Sequence, residues 1–466
     1  MASSMEEDNQ PVAAEAGSSF DLEAYIANYT GHAKVDRLLF IAERSSGKPL
    51  ELEALRMAHD ELKKTENTAR YQEVVARIDG RLGSAYTPDR AWVENTERRS
   101  AQKGERLESE LQSFKAALMK ESIRMGHSDL GDWAYERGDL QTAFKCYVRT
   151  RDYCTTSRHV VAMCLAVIRT ALELGNFVHV ANYVGKAEAT PDVSNDSVTM
   201  AKLRAASGIN LLHSRKYKQA ARKFCEVSPD LGTSYSDVLA LHDVAVYGSL
   251  CALASLDRSE LRSRVIANIG FREVLELAPE MRELVHAFYN SQYAAALRLL
   301  EGLKPALLLD MHVAEHVPAL YAAIRHRALC QYVQPFSSVD LAVMAAALNT
   351  PVAELEKQLA GLIMDGAISA RIDSATKVLY ASKADARVTT FQRVLAAGEA
   401  YCRDTRALLL RANLVQHDFM QAGLGGAGGG GGRGRKDRLE RGLYDMGMGG
   451  GGGLMYGMGR SMGVLI

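Results

Sequence analysis

Apolar residues recur at three- and four-residue steps in segment after segment of this chain, the spacing of one face of an α-helix. "DRLLFIAER" (36–44) and "LELEALRMAHDELKKT" (50–65) carry it first. A long charged helix is predicted from Asp89 to Arg124, with Leu107, Leu111, Phe114 and Leu118 down one side and its charges forming a solvated face.

A longer rhythm overlies the helical one. "RGDLQTAFKCY" (137–147), "LGNFVHVANYV" (174–184), "SRKYKQAARKF" (214–224) and "NSQYAAALRLL" (290–300) share a frame. A turn residue precedes a large apolar residue (Leu140, Phe177, Tyr217, Tyr293). A small one such as Ala143 or Ala220 follows three later, and another large one four after that. This is the signature of tetratricopeptide-type helix-turn-helix repeats, which bury their faces only by stacking into a solenoid. A degenerate unit is expected near "LASLDRSELRSRVI" (253–266).

The pattern changes after Pro335. "SSVDLAVMAAAL" (337–348) predicts a short helix with a serine cap ahead of Asp340, and "TPVAELEKQLAGLIMDG" (350–366) a second, opened by Pro351 and closed by Gly366. "AISARI" and "KVLYA" flank a polar "DSAT" turn and predict a β-hairpin. Helix, helix, hairpin is a winged helix. Residues 387–421 read as one long helix striped by Val388, Phe391, Leu395, Cys402, Leu409 and Phe419. At about 1.5 Å per residue it reaches ~50 Å, too long to fold onto a small wing domain, so its stripe asks for partner helices. The tail, 423–466, holds 19 of the chain's 38 glycines and is expected to be disordered, as are residues 1–19.

Composition narrows the function classes. The 56 basic residues balance 56 acidic ones, so no global field draws the chain to nucleic acid or membrane. Seven scattered cysteines, none spaced C-x-x-C, fit reduced thiols in cytosol or nucleus. The acidic N-terminus reads as neither signal nor transit peptide, and no run is long and apolar enough to span a membrane.

One motif suggests catalysis. "HVAEH" (His312, Glu315, His316) has the H-x-x-E-H order of a class of zinc peptidases, with both histidines on one helical face. Against it, Pro318 should end or kink such a helix, no third ligand is advertised, and the segment continues the preceding packing rhythm. The expectation is surface or helix-packing histidines, with no metal, cofactor or catalytic residue. "GRGRKDR" (432–438) could hold RNA weakly but reads as part of a solubilising tail. The second wing helix presents Glu354, Glu356, Lys357 and Asp365, which disfavours DNA, and Arg371 and Lys377 do not compensate. Protein contact by strand pairing is the better reading.

Two stretches carry a family resemblance. "KESIRMGHSDLGDWAYERGDLQTAFKCYVRTRDYCTT" (120–156) and "FSSVDLAVMAAALNTPVAELEKQLAGLIMDGAISARIDSATKVLYA" (336–381) resemble the subunit-1 type of the COP-9 signalosome's PCI-domain scaffolds. "ANIGFREVLELAPEMRELVHAFYNSQY" (267–293) is similar too. The resemblance covers about residues 20–420, and the matching proteasome-lid subunit is the nearest relative in fold. It implies a non-catalytic subunit of the complex that removes the ubiquitin-like modifier Nedd8 from cullins, using a zinc site (a JAMM motif with an H-x-H pair) on another subunit. It also implies neighbours among the other PCI subunits, subunits 2 and 3 expected, a helical bundle shared with the JAMM-type subunit, contact with cullin-RING ligases, and residence in nucleus and cytoplasm. Membrane and nucleic acid are not expected partners.

The expected architecture is mainly α. A helical region (20–126) leads into a tetratricopeptide-like solenoid (127–330) and a winged helix (331–385), with the PCI domain spanning about 222–385 and a bundle helix over 386–422. Subunit contacts are expected at Ile368, Ala370, Arg371, Ile372, Val378 and Tyr380 on the wing, within Ile368–Ile372 and Lys377–Ala381, and at Phe391, Leu395 and Leu409 on the last helix. The alternatives are a proteasome-lid scaffold and, remotely, a zinc peptidase.

Overall fold

A computed structural model describes residues 20–191, 193, 196–382 and 386–417; both expected disordered ends lie outside these. The chain divides near residue 383 into one compact unit and a second unit holding the last helix.

Four helices open the first unit: α1 (Leu22–Ile26), α2 (Gly31–Arg44), α3 (Pro49–Leu62) and α4 (Thr68–Ile78). Local chemistry sets their starts. The Asp21 carboxylate accepts from the Ala24 amide and Asn67 from the Arg70 amide, while Pro49 opens α3. Their apolar faces meet in a core of Leu38, Ile41, Leu55, Tyr71, Val74 and Ile78.

The long charged helix is shorter than expected. α5 spans Arg90–Ala116, and α6 (Lys120–Glu136) begins after a turn in which Leu118 takes a left-handed conformation (φ 54°). Leu118, expected on the apolar side, is 82% exposed. The Leu118 amide bonds back to the Lys115 carbonyl and the Met119 amide to that of Phe114, which closes the helix without a glycine. α6 then doubles back with Gly126 against Leu111 and Phe114.

The repeat frame sits where the sequence put it. Leu140, Phe177, Tyr217 and Tyr293 are the first residues of α7 (Leu140–Arg149), α9 (Phe177–Glu188), α11 (Tyr217–Cys225) and α16 (Tyr293–Leu307). Each follows a partner helix: α6, α8 (Ser157–Glu173), α10 (Ser197–His213) and α15 (Pro279–Tyr289). The intervening turn needs one left-handed residue, supplied by Gly138, Gly175, Arg215 and Ser291. The degenerate unit is α12 (Leu241–Ser255) followed by the single-turn α13 (Arg258–Leu261), a π-helical turn at Arg262–Ile266 and α14 (Ile269–Leu275). α17 (Val317–Val333) closes the series.

Close approach between paired helices depends on small residues. A Cβ at Gly208 would lie 2.5 Å from the ring of Phe224, itself fully buried. Gly208→Val should therefore lower stability by about 1–3 kcal/mol, the usual cost of overpacking. A urea midpoint unchanged from the parent would show that Phe224 has room to move.

The N-terminal helices return onto the middle of the solenoid through a buried ion cluster. Arg37 of α2 is 1% exposed. Its guanidinium donates to Asp243 of α12 and to Asp310 in the turn before α17, each at 2.9 Å. Tyr29 donates to Asp243 at 2.7 Å and Tyr247 to Asp310 at 2.7 Å. The Arg37 guanidinium carbon stands 4.1 Å from the centre of the Tyr29 ring. Burial alone would raise the pKa of Asp310, but Arg37 and nearby donors outweigh it and hold it at about 2. A second contact stacks His32 on Tyr135 of α6, whose hydroxyl donates to Glu173 of α8.

The wing holds one more strand than expected. β1 (Ser338–Asp340), β2 (Ala370–Asp373) and β3 (Val378–Ala381) form an antiparallel sheet in the order β1-β3-β2. Residues 337–340 are thus not a serine-capped helix start. Asp340 itself caps α18 (Leu341–Ala347), its carboxylate accepting from the Ala342 amide at 2.8 Å. α19 (Val352–Met364) follows Pro351 and ends before Gly366, whose φ is 72°. The described part of the second unit holds one continuous helix, α20 (Ala386–Gln416).

Candidate assembly surfaces

The wing hairpin is built by its turn. The Asp373 carboxylate accepts from the Ala375 and Thr376 amides and the Thr376 hydroxyl, and these bonds hold its pKa below the usual range. Lys377 takes a left-handed conformation (φ 58°) and pairs with Glu356 at 2.7 Å. One of the two wing cations is therefore already neutralised, which adds to the case against a DNA surface.

The expected wing contacts divide by strand alternation. Ile368 and Ala370 are buried, and Ile372 and Val378 are half-buried. Arg371 and Tyr380 are exposed, directly opposite each other across β2 and β3. The sheet order corrects one expectation. β3 has strands on both sides, because β1 occupies the side a two-stranded hairpin would leave open. Lys377–Ala381 therefore has no free edge; among the described residues β2 is an edge strand, and so is β1. β1 is three residues, Ser338–Asp340, with Val339 alone buried, too short for a period to register.

α20 exposes its apolar stripe. Phe391, Leu395 and Leu409 are 63%, 51% and 61% exposed. With Val388 and Cys402 they fall on steps of three, four, seven and seven residues, a heptad seam. A second row was missed in the sequence reading: Val394, Tyr401, Leu408 and Val415 recur every seven residues beside the first, all exposed. A simple heptad count would have found it. Phe419 lies outside the described residues.

HVAEH is not helical. Residues 311–316 form turns before α17, and Pro318 lies in the first turn of that helix rather than breaking an earlier one. Glu315 is exposed while His312 and His316 are buried. The His312 Nδ1 atom lies 3.3 Å from His213 Nε2, and His316 Nδ1 lies 3.3 Å from the Tyr217 hydroxyl. The motif's letters thus serve packing between α10, α11 and the start of α17. Among the described residues no cluster of three or more His, Cys, Asp or Glu side chains has metal-binding geometry.

These histidines make stability pH-dependent. Burial lowers the pKa of His312 to about 3, helped by Arg37, and that of His213 to about 4, helped by His316. Burial likewise holds His32 and His127 at about 4. Each is neutral in the fold and ordinarily titrates near 6.5 when unfolded, so stability is full above that value and falls as pH drops toward 4. At pH 5 each deprotonated histidine costs about 2 kcal/mol. Glu173 acts oppositely: burial raises its pKa to about 8, so its contribution is full below its ordinary value of 4.5 and is lost as pH rises through 8. Four groups outweigh one, and the urea midpoint should fall steadily from pH 7 to pH 5. A flat profile would mean that the histidine rings are hydrated.

Three family models match the chain in sequence: the 26S proteasome subunit RPN7 over 89–264, the PCI domain over 292–383, and the C-terminal helix of COP9 signalosome complex subunit 1 over 387–412. COP9 signalosome complex subunit 1 of Arabidopsis thaliana is 53% identical over 405 residues, covering 87% of this chain and 92% of the relative. The chain belongs to the COP9 signalosome subunit 1 family. Subunit 1b of Drosophila melanogaster is 39% identical, covering 85% of this chain and 86% of its own length. Subunit 1 of Emericella nidulans is 38% identical over 87% and 84%. The 26S proteasome subunit RPN7 match covers helices α5 to α13, and the match to the C-terminal helix of COP9 signalosome complex subunit 1 falls on α20.

Proposed function

We propose that this chain is a non-catalytic scaffold subunit of a signalosome that removes Nedd8 from cullins and so regulates cullin-RING ubiquitin ligases. The observation that carries the reading is α20, which matches the family's own C-terminal helix and exposes two apolar rows. Such a helix is at home in a bundle of partner helices, the JAMM-type subunit's among them. The β2 edge, with Arg371 beside it, suits strand pairing with a neighbouring PCI subunit, subunit 2 or 3. The solenoid would then hold ligases or regulators, in nucleus and cytoplasm alike.

The test is a native pull-down of the tagged chain from its own cells, with mass spectrometry of the retained proteins and a deneddylation assay on the eluate. Signalosome subunits with activity support the reading. Proteasome-lid subunits without activity move the chain to the lid, a reading that the match over 89–264 keeps in view. A chain recovered alone removes the scaffold role. Arg371→Glu should weaken recovery of one PCI neighbour by no more than about tenfold, because strand pairing is mainly main-chain and an exposed charge contributes up to about 1 kcal/mol.

A further inference from the structure

A half-open pocket of about 600 Å³, a size typical of ligand pockets, lies between α4, α5 and the connection that joins them. Its floor is apolar: Tyr71, Val75 and Val93 are buried there, and Tyr86 is half-buried beside them. Its rim is acidic. Asp79, Glu94 and Glu97 are exposed at the mouth, and none pairs with a cation among the described residues. Arg90 is the one basic residue in the lining. Asp89 is already used: its carboxylate accepts from the Trp92 amide, so the α5 N-terminus is capped and does not call for an anion.

An apolar floor under a carboxylate rim matches one side-chain type, a long aliphatic stem ending in a cation. The stem lies along Val75 and the aromatic rings, and the head reaches the rim. Tyr86 adds an aromatic face that favours a cation further. We propose that this cavity receives an arginine or lysine side chain from an extended basic and apolar segment of a partner protein. The site uses no residue of β2 or α20, and it does not depend on the scaffold reading: a chain that failed to enter any complex would still carry it.

The test uses the full-length chain and a short acetylated, amidated peptide alternating leucine with arginine. A peptide alternating leucine with glutamate is the control. Binding is followed by calorimetry and by fluorescence of Trp92, whose ring centre lies 4.7 Å from that of Tyr71. The basic peptide should bind saturably and more weakly in high salt, and the acidic one should not bind. Glu94→Gln with Glu97→Gln should weaken binding about tenfold, equivalent to about 1.4 kcal/mol. Ala76→Trp, from an exposed position on the lining, should abolish binding by filling the cavity. Equal binding of both peptides, no saturable binding, or binding indifferent to all three substitutions in folded protein would overturn the proposal.

Discussion

Arg37→Ala will lower the stability of the 20–382 unit by about 3–5 kcal/mol, because it leaves two buried carboxylates facing each other without their cation. Asp243 and Asp310 are 2% and 6% exposed, so neither reaches enough water to compensate. The loss is expected to be local before it is global, with α1–α4 opening away from α12. Urea unfolding should show a lower midpoint, and brief proteolysis should cut within residues 20–90 first. Arg37→Met together with Asp243→Asn and Asp310→Asn should recover part of the loss, since an uncharged cluster carries no unpaired charge. A midpoint for Arg37→Ala within about 1 kcal/mol of the parent, the range of an exposed pair, would mean that water enters the cluster and screens it.

Val394→Asp with Leu408→Asp should abolish recovery of partner subunits while leaving the 20–382 unit as stable as before. Both residues are exposed, so the isolated chain loses no burial. In a bundle each would contribute about 1.5–3 kcal/mol, and a charge in their place adds a desolvation penalty, so association should weaken on the order of a hundredfold or more. Co-purification of partner subunits with the variant is the measurement, with a thermal melt of the free chain alongside. If the variant recovers them as the parent does, the seam of α20 faces elsewhere. Deleting 386–417 then tells whether the helix has any part in assembly.

Much of the fold was legible because its signals are local. The four repeat onsets, Leu140, Phe177, Tyr217 and Tyr293, each begin a helix in the structure, since a turn residue and an apolar frame specify a hairpin without distant information. Leu118 was misplaced because its left-handed turn is made by main-chain bonds, with no glycine to mark it. β1 escaped because three residues give no period and its partner lies some forty positions away. Arg37 escaped for a deeper reason. Charged residues are placed on the surface by default, and only the distant Asp243 and Asp310 make its burial tolerable. On the wing, the sequence picked the correct strand pair, but Ile368 and Ala370 face inward and Lys377–Ala381 lies in mid-sheet.

The Arg37 cluster also sets a schedule for synthesis. Its partners lie 206 and 273 residues further along the chain. At roughly 5–20 residues per second, the ribosome takes on the order of tens of seconds to deliver Asp310 after Arg37 has emerged. Throughout that interval the apolar face of α2 can pack on α3 and α4, but Arg37 has neither of its carboxylates. The α2 surface around Arg37 thus waits exposed for a chaperone or for the later chain, and a ribosome stalled before Asp310 would release a fragment in which the ion cluster cannot close.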